Sequence, residues 1–289
     1  MSAAPLKTFR GEMVDVGGRR LRVVTAGPAG ERPTIVLEHG AFGCAADWAV
    51  VQEKLAAKGL RSIAYDRAGL GHSDPGPRPR DGRAIVDDLT ALLRELGETG
   101  PLVLVGHSMG GLMVRLFAVT HPDRVVGVVL VDAVTPEVMG SPLGSRAVKA
   151  FGWSLRLVSR GARLGMMRPV AAIRGDQIGL EGEASAEKRR IFGLASHAHW
   201  SSEEVSRWPV TSDQARAADF PTRMPVAVIT AGAENTATAL KAIQVLPALA
   251  SANGYVEHVA GAGHASLLGR RFADPIVRGV DQVLAVARL

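Results

Sequence analysis

Cysteine is almost absent: Cys44 is the only one in 289 residues. That excludes an internal disulfide and leaves a small buried side chain as its ordinary role. Long apolar runs are missing too. No stretch reaches the length of a membrane span, and the N-terminal MSAAPLKTFRGEMVDVGG lacks an apolar core of signal-peptide length. A soluble, cytoplasmic protein without stable membrane insertion is the expectation. Aromatics are scarce, with seven Phe, four Trp and two Tyr, so there is no interleaved platform for single-stranded nucleic acid. Net charge is +6 and the pI near 10, yet the arginines are scattered, with only short clusters such as KRR at 188–190. This reads as a solvated basic surface and not as a nucleic-acid interface.

What the chain does have is apolar side chain, 47% of its residues against 21% charged. That suffices for one large α/β domain or two small ones. GEMVDVGGRRLRVVTAG alternates around Gly17 and Gly18 as a β-hairpin does. TIVLEHG, LRSIAYDRAG, PLVLVGHS and RVVGVVLVDA are apolar runs, continuous as burial on both faces of a parallel sheet requires. Between them, helical spacing covers 47–59, with Asp47 as N-cap and Gly59 as stop, then 81–97 and 109–120. The alternation predicts βαβ units with right-handed crossovers. It breaks at 134 and resumes at 224 with MPVAVITAG, a helix over 236–252, the strand GYVEHVAG and a last helix across 268–288. The expected division is a core of 1–133 and 224–289, with 134–223 inserted over one edge of the sheet.

Within LVLVGHSMGGLMVRLF, residues 102–117, an apolar strand passes into a helix through Ser108, with Gly106 two residues before it and Gly110 two after. A serine that ends a buried strand and begins a helix sits on a turn tight enough to force unusual backbone dihedrals. Side chains at the flanking positions would collide with strand and helix, so glycine is demanded there. The hydroxyl is thereby exposed at a helix N-terminus, where amides and the helix dipole stabilise negative charge. A serine reacts only when a base takes its proton and a third group orients that base. VAGAGHASLL places His264 in a Gly-rich loop after the last strand, where an imidazole can swing over the strand ends. His39, His72 and His107 come too early in the chain order serine, acid, histidine; His121, His197, His199 and His258 fall on helices, in the insertion or within a strand.

LEHGAFG (37–43), AYDRAGLGHSD (64–74), VGHSMGG (105–111), LVDAVTPE (130–137) and GAGHASLL (261–268) together resemble an α/β-hydrolase-fold serine hydrolase, a capped esterase- or lipase-like member. The resemblance implies a mostly parallel central sheet with helices on both faces and a helical cap at 134–223. It implies an oxyanion hole from the amides of Met109 and Ala41, or Phe42 if the loop register differs, a pair that lowers the barrier by a few kcal/mol. Asp66 and Arg67 read as structural. The acid departs from the usual pattern: the family commonly places an aspartate after the strand at 226–231, where this chain has Asn235 with Glu234 beside it. Asparagine cannot stabilise an imidazolium. Another family arrangement puts the acid one strand earlier, where Asp132 stands. Both Asp132 and Glu234 are candidates.

In the insertion, SRAVKAFGWSLRLVSRGARLGMM carries Arg156, Arg160 and Arg163 on one helical face and Trp153, Leu157 and Leu164 on another. The apolar face is expected to roof an acyl pocket; a basic amphipathic helix can also dock on anionic lipid. The resulting expectation is a hydrolase of hydrophobic carboxylic esters, with Ser108 as nucleophile, His264 as base and no metal or organic cofactor. Dehalogenase and epoxide hydrolase activity are disfavoured, because those relatives carry Asp where this chain has Ser108. Lactonase, thioesterase, amidase, acyltransferase and carbon–carbon hydrolase activities share the triad, and a non-catalytic ligand-binding member is the alternative of another class. The oligomeric state cannot be read from these residues.

Overall fold

The structure is a computed structural model that describes residues 10–164, 166–235 and 238–287. The first two strands, β1 (Glu12–Asp15) and β2 (Arg20–Ala26), form the expected antiparallel hairpin. Gly17 and Gly18 make its turn with φ of +97° and +87°, and the Asp15 carboxylate accepts both their amides. Then follow β3 (Thr34–Glu38), α1 (Ala49–Ala57), β4 (Ser62–Tyr65), α2 (Gly82–Glu95), β5 (Leu102–His107), α3 (Gly110–Thr120) and β6 (Val125–Val131). After a helical stretch come β7 (Val226–Ala231), β8 (Gly254–Val259) and a C-terminal helix over Asp274–Val286. The eight strands form one sheet in the order β1-β2-β4-β3-β5-β6-β7-β8, parallel from β4 onward.

The continuously apolar strands lie in the middle of that sheet. Leu102 and Leu104 of β5 face a core built with Leu89, Leu92 and Phe117 of α2 and α3. Val103 and Val105 face a second core with Val51 and Leu55 of α1 and Ile276 and Val280 of the C-terminal helix. Successive side chains therefore enter opposite cores, which is why neither face of the strand tolerates a polar residue.

Between β6 and β7 the described residues hold no strand. They form α4 (Pro136–Gly140), α5 (Pro142–Arg163), α6 (Met167–Arg174), α7 (Gly182–Phe192), α8 (Ala195–Ser206) and α9 (Trp208–Ala215). Buried ion pairs fasten this helical segment to the core: Glu204 with Arg67 at 2.8 Å, Lys188 with Asp47 at 2.7 Å, and Glu187 with Arg22. Removing one partner of such a pair leaves a buried charge, at a cost of about 3–5 kcal/mol.

Four sequence expectations need correction. Asp47 does not cap α1; a 3-10 turn over Ala45–Trp48 precedes the helix, and the Asp47 carboxylate turns inward to the Cys44 amide and Lys188. The helix expected at 236–252 is two short ones, α10 (Thr238–Gln244) and α11 (Leu246–Leu249), because Pro247 cannot donate to the preceding turn and restarts the helix; residues 236 and 237 lie outside the described residues. The last helix, α12, starts at Asp274 and not 268, after a 3-10 turn over Ser266–Leu268. Gly269 sits between them, where an added Cβ would lie 2.2 Å from the Ile178 carbonyl oxygen.

The fourth correction concerns α5. Trp153, Leu157 and Leu164 are exposed to 60%, 44% and 77%, facing away from the core; the Arg163 side chain lies outside the described residues. The inward stripe is Gly144, Val148, Phe151, Leu155 and Ser159. Gly152 lets α8 approach, an added Cβ there meeting Val205 at 3.3 Å.

Candidate active site

Ser108 follows the last residue of β5 with φ +53°, a conformation L residues adopt only under constraint. The constraint is visible on both sides. A Cβ on Gly106 would stand 2.6 Å from the Gly110 carbonyl oxygen, and one on Gly110 would stand 2.4 Å from that of Glu38. The Ser108 amide donates to Val131 O at 3.1 Å, and its carbonyl accepts from Gly111 and Val134. The turn is thus locked between β6 and α3 while its side chain faces a cavity.

His264 lies in the loop after β8, its side chain about half exposed, and its Nδ1 is 2.6 Å from Asp132 Oδ2. Asp132 follows β6 with φ +41° and also accepts from the Ala231 amide and Gln244 Nε2, each at 3.3 Å. Burial pushes its carboxyl up, but the His264 hydrogen bond and charge outweigh that and hold it below the usual carboxylate value. Glu234 sits exposed in the turn after β7, neither lining the cavity nor bonded to His264. No hydrogen bond joins the Ser108 hydroxyl to His264; such contacts tighten when substrate docks.

The loop of Gly40, Ala41 and Phe42 packs on the serine, an added Cβ on Gly40 lying 3.0 Å from that of Ser108. The carbonyls of His39, Gly40 and Phe42 are engaged. Arg67 donates to His39 O at 2.6 Å and Gly40 O at 3.1 Å, while His197 Nε2 and Lys188 Nζ donate to Phe42 O at 3.2 and 3.3 Å. Phe42 itself is held at φ +56°. Among the described residues, the Ala41 and Met109 amides donate to no protein acceptor. Both remain available to an oxyanion.

Arg67 is structural, as its sequence context implies, but the partners that hold this loop with it are not legible there. Burial works against the Arg67 charge, yet the Glu204 and Glu38 carboxylates raise its pKa above the ordinary arginine value. His107, next to Ser108 in sequence, donates Nε2–H to the His264 carbonyl at 3.0 Å; burial and then the His264 imidazole push it down to about 3. Gln244 steadies Asp132 from α10. Adjacency of His107 to Ser108 was the one local signal; Glu204, Lys188 and His197 come from far along the chain and left none.

His197 has a thermodynamic consequence. It accepts from Gly71 N through Nδ1 and donates to Phe42 O through Nε2, so it is neutral, and burial and then Lys188 lower its pKa to about 3. Below pH about 6.5 the unfolded chain binds a proton that the folded chain refuses, so stability falls as pH drops from there toward 3. Between pH 7 and 5 this amounts to about 2 kcal/mol. Thermal melts at the two pH values are expected to show a smaller loss for His197→Gln than for wild type. An equal loss would remove His197 as the cause.

A cavity of about 560 Å³ joins these parts, a size suited to a small organic ligand. Ser108, Ala41, Asp132 and His264 lie on the core side; Val148, Phe151, Phe192 and Trp208 come from the helical segment. Most of the wall is apolar. Trp208 Nε1 meets Met109 Sδ, pressing the segment on the serine turn. Among the described residues no three His, Cys, Asp or Glu side chains gather as metal ligands would.

Comparison with known proteins agrees with this fold. Residues 33–172 match the family model described as alpha/beta hydrolase fold. The (lyso)-N-acylphosphatidylethanolamine lipase of Homo sapiens is 30% identical over 118 residues, covering 39% of this chain and 34% of that protein. Epoxide hydrolase A of Mycobacterium tuberculosis is 36% identical over 121 residues, covering 40% of this chain and 36% of that protein. The chain thus spans about a third of the length of these curated relatives. A solved thermophilic esterase from Thermogutta terrifontis has a TM-score of 0.68 at 20% identity, covering 96% of this chain and 99% of that one. With eight strands in this order, a glycine-flanked serine at the strand–helix turn and this structural neighbour, the chain adopts the α/β-hydrolase fold.

Proposed function

We propose that the protein is a serine hydrolase that cleaves carboxylic esters of hydrophobic acyl or aromatic substrates through an acyl-enzyme. The observation that carries this reading is the 2.6 Å bond from His264 Nδ1 to Asp132, on the same cavity that Ser108 lines. An ionised Asp132 can only accept, so Nδ1 carries the hydrogen and Nε2 is left to take a proton. Ser108 Oγ adds to the ester carbonyl carbon while His264 Nε2 removes its proton. The oxyanion is held by the Ala41 and Met109 amides. Collapse breaks the carbon–oxygen bond to the leaving alcohol, which receives the proton from His264. Water then attacks the acyl-enzyme, giving its proton to His264, and Ser108 is restored as the acid departs.

The mostly apolar wall supports a hydrophobic acyl or aromatic group, with residues 134–223 serving as the cap that supplies its roof. Ser108 in the nucleophile position supports ester over epoxide chemistry, since the family's epoxide hydrolases carry Asp there. A p-nitrophenyl ester series from short to long acyl chain tests the reading together with intact-mass and peptide-mass analysis of a phosphonate-treated sample. Expected are a burst, steady turnover with a chain-length optimum, and one adduct on the peptide holding Ser108. The absent Ser108–His264 bond favours a second reading, a receptor without turnover. That reading predicts saturable binding with neither burst nor adduct, and this result would overturn the hydrolase.

A further inference from the structure

Among the described residues, most of the large apolar side chains exposed to solvent fall between Phe151 and Ile173, on α5, α6 and the turn between them. Leu164 and Ile173 are 77% exposed, Trp153 60% and Met166 59%. The same stretch has a one-sided charge. From Val138 to Gly175 the sequence has seven basic residues and no Asp or Glu, so this stretch carries more positive charge than the chain's whole net of +6. Some surface arginines elsewhere meet carboxylates, as Arg20 meets Asp74 and Arg270 meets Glu53. Lys149, Arg156, Arg160 and Arg174 are exposed and form no ion pair with a described residue.

Helical spacing interleaves the two kinds of residue. Lys149, Trp153, Arg156, Arg160 and Leu164 follow one another at three- and four-residue steps along the outer side of α5, with Leu157 beside Arg156, opposite the stripe that meets α8. Large apolar groups flanked by free cations suit the boundary of an anionic bilayer, where the former enter the acyl region and the latter meet phosphates. A second copy of the chain does not fit: pairing this face with itself would set like charges together. Among the described residues no helix is long and apolar enough to cross a membrane, so contact here would be at the surface.

We propose that the outer faces of α5 and α6 dock the protein on an anionic phospholipid bilayer. Trp153, Leu157, Leu164 and Ile173 insert at the headgroup boundary, and Arg156, Arg160 and Arg174 bind lipid phosphates. Phe151, two residues before Trp153, is exposed and also lines the cavity, so the rim of the cavity lies on the docking helix. The inference does not depend on the ester reading, because its readout is binding.

Co-sedimentation of the full chain with vesicles of phosphatidylcholine, alone or mixed with phosphatidylglycerol, tests it. Wild type is expected to bind the mixed vesicles only, and less as salt is raised. Arg156→Glu combined with Arg160→Glu is expected to lower partitioning about tenfold or more. Leu164→Ser combined with Ile173→Ser is expected to lower it as well, with thermal melts confirming that both variants fold. Failure to bind mixed vesicles at low salt overturns the proposal, as does equal binding by wild type and folded variants. So does a dimer in light scattering that these substitutions dissolve, which would assign the face to a second copy.

Discussion

Ser108→Ala is expected to lower kcat/KM on p-nitrophenyl esters by about 10⁴-fold or more, leaving the melting temperature close to wild type. The size follows from what the substitution spares. The Ala41 and Met109 amides, the cavity wall and the His264–Asp132 pair all remain, so the residual rate reports binding and oxyanion stabilisation without covalent attack. The fold should be spared because the strained turn is imposed by Gly106, Gly110 and the Val131 hydrogen bond, none of which uses the hydroxyl. Alanine accepts the φ of +53° no worse than serine does. Turnover retained within tenfold would remove Ser108 from the chemistry.

Asp132→Asn is expected to cost about 10³ to 10⁴ in kcat, whereas Glu234→Gln leaves kcat unchanged. Asparagine keeps the shape of Asp132 but brings an NH₂ group. When that group donates to His264 Nδ1, the ring hydrogen moves to Nε2 and faces Ser108, the wrong tautomer for a base. The imidazolium formed during attack also loses the carboxylate that His264 and the Ala231 amide keep ionised. Glu234 has no such contact, lying in an exposed turn away from the imidazole. Measured side by side on one ester, the two variants separate the candidates. A loss at Glu234 with none at Asp132 would reverse the assignment.

The misplaced boundaries have two kinds of cause, one long-range and one local. Asp47 reads as a cap from its neighbours in sequence, but its partner, Lys188, lies far along the chain. The run at 236–252 has helical spacing, and only the weight given to Pro247 separates one helix from two. The Arg67 cluster resembles the Asp47 case: Glu38 and Glu204 are distant from Arg67 in sequence, so only the fold shows their pairing.

By itself the sequence determined the sheet rhythm, the tight serine turn and the late loop histidine. These depend on neighbours a few residues away: an unbroken apolar run needs burial on both faces, and a strand–serine–helix junction needs glycine on either side. Only the tertiary structure decided which carboxylate stands beside His264 and which face of α5 looks inward. Asp132 and Glu234 both follow parallel strands, and it is the adjacency of β6 to β7, with Gln244 behind, that sets Asp132 against the imidazole. In α5, Trp153 and Leu157 are as apolar as Val148 and Leu155. The choice between the stripes is made by packing against α8 and the cavity, which helical spacing alone cannot register.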